Sequence, residues 1–175
     1  MQCGTPALPR GHGGCLIDSV SPKGKAVVDH EISESRLLEP TDDRYRILVV
    51  DDDRALRETL CEIVEPFLLP MEADSGEAAI DLARHCEIHI VVCDMQMSVL
   101  TGLETLAQIR KLHATAPRIL MTANYSEGLV RQARAELACD VLSKPFCKTA
   151  FIESIATALA AAYHATQLAN RLSHA

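Results

Sequence analysis

IHIVVCDMQMSVLTG, residues 88–102, contains an apolar run, Ile90 to Cys93, that stops at a single carboxylate, Asp94, and gives way to a loop. A short run rich in β-branched residues, bounded by polar residues and glycine, reads as a strand buried on both faces of a parallel sheet. Ligands of open α/β sheets bind at the carboxyl ends of the strands. Asp94 is therefore the first residue from which to expect chemistry.

The same grammar recurs on either side. RILVV at 46–50 ends in Asp51, Asp52 and Asp53, and Leu56, Leu60, Ile63 and Val64 then follow at helical spacing, with Asp53 placed to cap the helix and Pro66 to end it. A brief strand at 71–73 leads to Ser75, a second N-cap, and a helix through Ala78, Ala79, Leu82 and Ala83. Beyond the opening stretch come a helix through Leu103, Leu106, Ile109 and Leu112, the run ILMT at 119–122, and a helix over 127–136. A short strand at 140–142 is then followed by SKPF at 143–146, and an alanine-rich helix runs from Thr149 to about Arg171. Strands alternating with helices give a parallel sheet with right-handed crossovers. The expectation is a single α/β domain over 45–163, with five strands flanked by helices and 164–175 prolonging the last helix.

Length and charge narrow the partners. A chain of 175 residues has room for one ordinary domain plus tails. A net charge of −7, with scattered Lys and Arg, argues against a nucleic-acid surface. No apolar run reaches the roughly 18 residues that a membrane span needs, and Pro6, Pro9 and Arg10 stand where a signal peptide would be apolar. A cytoplasmic location without membrane contact is the expectation. The seven cysteines form no CxxC pair and read as small buried hydrophobes, and Cys3, His12 and Cys15 match no zinc spacing. Residues 1–44 hold much of the glycine and proline, sustain no period, and are expected to be disordered.

Four of the five strands end in Asp51/Asp52, Asp94, Thr122 and Lys144, which the fold would gather on one edge. Close carboxylates repel by about 4 kcal/mol per pair at an effective dielectric near 20, so such a cluster needs a cation. Mg²⁺ suits hard oxygen ligands and leaves water positions open for phosphate. Lys144 and Thr122 are suited to phosphoryl oxygens, and a carboxylate left free to attack would form an acyl phosphate.

VVDDD at 49–53, CDMQMSVLTG at 93–102, MTAN at 121–124 and SKPF at 143–146 together resemble the receiver domain of bacterial two-component response regulators, in order and near-family spacing. The resemblance covers residues 45–163 and implies a flavodoxin-like doubly wound sheet. It implies that Asp94 accepts a phosphoryl group from a sensor histidine kinase or histidine phosphotransfer protein, catalysing its own phosphorylation and dephosphorylation. Asp52, Asp94 and the backbone carbonyl of Gln96 would bind Mg²⁺ directly, and Asp51 through a water. Lys144 would pair with the phosphoryl oxygens, Thr122 would act as the switch, Lys144-Pro145 would be cis, and Gly102 would permit the turn behind the acceptor loop.

The chain departs from the family at Ser98, where a proline is usual, at Thr101, where an acid is usual, and at Val141, where many receivers place a switch aromatic. Ser98 and Thr101 imply altered loop stiffness. Two other readings stand beside this one. A haloacid-dehalogenase-like phosphatase would use Asp51, Asp53, Thr122 and Lys144 with Asp51 as nucleophile, but it leaves Asp94 without a role and lacks a later acidic pair. A pseudo-receiver would signal by contact alone, without cycling phosphate. No output segment is legible after the receiver, so a stand-alone module acting through protein contacts is expected, with Leu159, Tyr163, Thr166 and Ala169 as a docking or homodimer seam on the last helix.

Overall fold

The three central strands form because their residues are almost all apolar and are covered on both faces. In the computed structural model, which describes residues 44–173, β1 (Arg46–Val50), β2 (Leu69–Ala73), β3 (Ile90–Asp94), β4 (Arg118–Thr122) and β5 (Asp140–Ser143) make one parallel sheet in the order β2-β1-β3-β4-β5. Alternate side chains point to opposite faces. Ile47, Val49, Ile90, Val92, Ile119 and Met121 pack against α1 (Arg54–Val64) and α5 (Lys148–Tyr163). Leu48, Val50, Val91, Cys93 and Leu120 pack against α2 (Gly76–His85), α3 (Gly102–Leu112) and α4 (Glu127–Ala135). The doubly wound sheet expected from the sequence is the one observed. All but the last residue of the expected disordered extension, including Cys3, His12 and Cys15, lies outside the described residues.

Helix starts follow the caps. Asp53 accepts from the backbone N–H groups of Ala55 and Leu56, Ser75 from Ala78 and Ser126 from Leu129. Thr101 and Glu104 form a reciprocal capping box at α3, a device that satisfies two orphan donors. Thr101 thus anchors the loop in place of the expected acid. The strand β2 begins two residues earlier than expected because it lies at the sheet edge, where Pro70 costs no ladder bond.

The carboxyl-terminal expectation needs correction. The last helix does not continue through 164–175: α5 ends at Tyr163, His164 takes a left-handed conformation (φ 54°, ψ 28°), and a separate helix α6 (Thr166–Ser173) follows. A left-handed non-glycine residue costs roughly 1–2 kcal/mol. The reversal buries Leu172 completely and packs Leu168 and Ala169 on the α1/α5 side of the core, and a fully buried leucine gains about 1.5–3 kcal/mol. Burial outweighs the backbone cost. The seam expected at Leu159, Tyr163, Thr166 and Ala169 is not a free helical stripe, since Leu159 is buried, Ala169 packs on the core, and the Tyr163 hydroxyl donates to the His89 carbonyl at 3.0 Å.

The cysteines divide. Cys61 and Cys93 are buried, and burial pushes the Cys61 thiol up to about 12. Cys139 and Cys147 are exposed residues, contrary to the buried reading, because they sit in the turns before β5 and α5. No helix among the described residues is long and apolar enough to cross a membrane.

Candidate functional site

The carboxyl ends of β1 and β3 lie side by side, with Val50 paired to Cys93, so the next positions, Asp51 and Asp94, meet at the centre of the sheet edge. Both are buried, at 1% and 5% exposure, whereas Asp52 is exposed. Lys144, just past β5, reaches across β4 and places Nζ 2.7 Å from Asp51 Oδ2 and 2.7 Å from Asp94 Oδ1. One ammonium therefore bridges two buried carboxylates. Lys144-Pro145 is cis.

The electrostatics follow from that sharing. Burial raises the pKa of Asp94, and the Lys144 ammonium opposes the rise without cancelling it, because it is divided between two acids and Asp51 adds repulsion. For Lys144 the largest influence is burial, which acts downward, yet its bonds to Asp51 and Asp94 together outweigh it and the pKa is raised. The site as it stands carries more negative charge than its lysine balances.

Oxygens of Asp51, Asp52 and Asp94 lie within 4.8 Å of one another. An all-carboxylate oxygen set at this spacing fits a hard divalent ion such as Mg²⁺. The commitments of the three acids differ. Asp51 Oδ1 accepts from the Asp53 N–H at 2.9 Å and Oδ2 from Lys144. Asp94 Oδ2 accepts from the Gln96 N–H at 2.8 Å. The Asp52 carboxylate makes no hydrogen bond or ion pair among the described residues. It is the uncommitted ligand.

Of the remaining sequence-derived residues, Gln96 is joined to the cluster only through its backbone, its side chain being exposed. Thr122 is fully buried at the end of β4, and its Oγ1 accepts from the Asn124 N–H at 3.0 Å rather than bonding Asp94. Its backbone carbonyl accepts from the Lys144 N–H at 2.7 Å, which ties the two strand ends together. Val141 is half-buried against the α2/α3/α4 side of the core and supplies no aromatic ring at the β5 position.

Gly102 does its work by a different route from the one expected. It does not have positive φ; instead a Cβ there would collide with the Asp94 carbonyl oxygen and press on Leu120. The start of α3 is packed directly onto the backbone of the acceptor candidate, and only glycine leaves room. The sequence reading missed Arg57, whose guanidinium, 12% exposed, donates to the Asp51 carbonyl at 2.6 Å and to Glu72 at 3.2 Å. Its place beside Leu56 and Leu60 on the inward side of α1 was the available signal.

Comparison with known proteins bears on the whole arrangement. The family model for the response regulator receiver domain matches residues 47–156. Protein CcdB of Bacillus subtilis is 33% identical over 112 residues, covering 63% of this chain and 93% of that protein. Chemotaxis protein CheY of Halobacterium salinarum is 29% identical over 117 residues, covering 66% and 98%. Among solved structures, a CheY-like receiver domain protein from Methanospirillum hungatei superposes with a TM-score of 0.66 at 21% identity, covering 69% of this chain and 98% of that one. A response regulator from Burkholderia pseudomallei, solved with a phosphorylated aspartic acid, calcium ion and citrate, gives 0.60 at 24% identity, covering 74% and 72%.

Proposed function

The chain belongs to the response regulator receiver domain family, and from that premise we propose that it accepts a phosphoryl group on Asp94 from a phosphohistidine of a sensor kinase or phosphotransfer protein. The observation that carries this reading is the Lys144 ammonium held 2.7 Å from both Asp51 and Asp94 at the sheet edge. A carboxylate oxygen of Asp94 attacks phosphorus, the O–P bond forms as the P–N bond breaks, and the imidazole leaves with the bonding pair and takes up a proton. Phosphorylation converts the Asp94 carboxylate into an acyl phosphate and moves the negative charge onto the phosphoryl oxygens, with which Lys144 is then free to pair. Attack of water on phosphorus ends the phosphorylated state: the acyl O–P bond breaks, phosphate is released and the carboxylate is restored.

Asp52, Asp94 and the Gln96 carbonyl would hold Mg²⁺, with Asp51, already committed to Lys144 and the Asp53 N–H, acting at one remove. When bound, the ion supplies positive charge where three carboxylates and an incoming phosphoryl group would otherwise repel. The Thr122 hydroxyl accepts from Asn124 and keeps its own proton free to donate to a phosphoryl oxygen, the displacement that would signal acceptance. The nearly inaccessible Asp51 carboxylate, bonded at both oxygens, speaks against the phosphatase reading in which it attacks. The output is taken to be a phosphorylation-dependent protein contact in the cytoplasm.

The test is phosphorylation of the purified chain by acetyl phosphate with and without Mg²⁺, resolved on a phosphate-affinity gel beside Asp94→Asn. A Mg²⁺-dependent, alkali-labile band lost in the variant is expected. A wild-type protein that binds Mg²⁺ but forms no such band would move the reading to a module that signals without phosphate.

A further inference from the structure

Every polar atom of Asp51 has a partner. Its N–H donates to the Ala73 carbonyl at 3.2 Å, Oδ1 accepts from the Asp53 N–H, Oδ2 accepts from Lys144, and its carbonyl oxygen accepts from Arg57 Nη1 at 2.6 Å. That carbonyl belongs to the peptide joining Asp51 to Asp52. Fixing its direction fixes the plane from which Asp52 leaves the backbone. Asp52 itself is exposed and makes no side-chain bond among the described residues, so its aim has to come from the backbone.

Arg57 is equipped to set that aim. It lies four residues after the N-cap of α1, its backbone N–H bonds the Asp53 carbonyl at 3.0 Å, and its side chain is largely buried. Nε is held by Glu72 at 3.2 Å, on the edge strand where Glu72 is the register partner of Val49. The planar guanidinium offers donors in a fixed fork, so one edge can be clamped while another points at the carbonyl. Glu72 orients Arg57, Arg57 orients the Asp51–Asp52 peptide, and the peptide orients Asp52. Partners one step removed from a metal ligand commonly set its geometry in this way.

We propose that Arg57, clamped by Glu72, is a positioning residue of the acceptor site that aims Asp52 at the divalent cation. The inference rests on the Mg²⁺ reading given above. It assigns Arg57 no contact with the phosphoryl group and places its effect on cation affinity. The loss in phosphorylation rate on removing it is therefore largest at low Mg²⁺ and shrinks as Mg²⁺ is raised.

The experiment is a Mg²⁺ titration of the ¹⁵N-labelled full chain followed by amide shifts, on wild type, Arg57→Met, Arg57→Lys and Glu72→Gln, with amide exchange at Asp53 measured without metal. Arg57→Met is expected to weaken Mg²⁺ binding about tenfold, the lower end of the usual cost of losing such a partner. Arg57→Lys, which keeps the charge and a donor, recovers part of that loss, and Glu72→Gln falls between wild type and Arg57→Met with the fold undisturbed. Exchange at Asp53, whose N–H bonds Asp51, accelerates in Arg57→Met while that of the β3 amides does not. Mg²⁺ affinity in both Arg57→Met and Glu72→Gln within about twofold of wild type, well short of the usual second-partner effect, overturns the proposal. A wild-type protein that shows no saturable shift with Mg²⁺ overturns the metal reading itself, and unchanged Asp53 exchange in Arg57→Met then overturns the positioning role as well.

Discussion

Replacing Asp94 by asparagine is expected to stabilise the metal-free protein. Lys144 attracts Asp94 across 2.7 Å, about 6 kcal/mol at an effective dielectric of 20. Against this stand two carboxylates whose oxygens lie within 4.8 Å. Asp51, buried, contributes about 3.5 kcal/mol of repulsion on the same scale and Asp52, exposed, about 2 kcal/mol after solvent screening. Attraction and repulsion cancel to within about 1 kcal/mol, and the desolvation of a buried carboxylate then decides the sign. The raised pKa of Asp94, with burial as its first cause, points the same way.

Asparagine keeps an oxygen for Lys144 and sheds the charge, so a gain of about 1–2 kcal/mol is expected, roughly 3–8 °C in Tm for a domain of this size. Because the folded pKa lies above the unfolded one, the native protein is relieved of this cost below the ordinary carboxylate value near 3.9 and bears it fully once the pH has risen through the folded value. Thermal melts in EDTA, followed by circular dichroism, should therefore show the variant ahead at pH 7 and level with wild type near pH 4. A variant that melts at or below wild type at pH 7 would refute the electrostatic reasoning.

Other perturbations follow from the same geometry. Lys144→Met leaves two buried acids without their shared cation and is expected to cost about 3–5 kcal/mol in urea denaturation with EDTA, opposite in sign to Asp94→Asn. Gly102→Ala drives a Cβ into the Asp94 carbonyl and should cost about 2 kcal/mol while slowing phosphorylation by acetyl phosphate. His89, whose pKa is lowered first by burial, accepts from the Arg46 N–H and stays neutral in the fold. Its contribution is complete above the ordinary histidine value near 6.5 and is lost as the pH falls from there through the lowered folded value. Urea midpoints of wild type should therefore drop more steeply from pH 7 to 5 than those of His89→Gln.

The sheet was legible because β1, β3 and β4 are covered on both faces and so appear as unbroken apolar runs, and because Asp53, Ser75 and Ser126 announce helix starts by chemistry local to a few residues. The gathering of Asp51, Asp94 and Lys144 was legible for the same reason: strand ends in a parallel sheet share one edge. What escaped depends on contacts distant in sequence. The break at His164 is a competition between one backbone residue and the burial of Leu172, and periodicity cannot see the surface that receives the leucine. Arg118 reads as the polar residue before a strand, yet it is 4% exposed and donates Nη1 to the Ala116 carbonyl at 2.8 Å and Nη2 to the Leu137 carbonyl at 3.3 Å. Nothing local distinguishes it from a solvated arginine. Gly102 was recognised for its position, but its reason, steric contact with the acceptor backbone, required the neighbouring strand.

The bond between Lys144 and Asp51 joins residues 93 apart in sequence. Closing so long a loop is entropically slow, and the contact is reached only when β5 has docked on a sheet already containing β1, β3 and β4. During synthesis the last of the three aspartates emerges about fifty residues ahead of the lysine, so the growing chain holds its acids before their shared cation. Pairing of β1 with β3 brings Asp51 beside Asp94, and their repulsion is relieved only when β5 delivers Lys144. On the proposed reading, the Asp94 site is therefore complete only once β5 has docked and Lys144 stands 2.7 Å from the carboxylate.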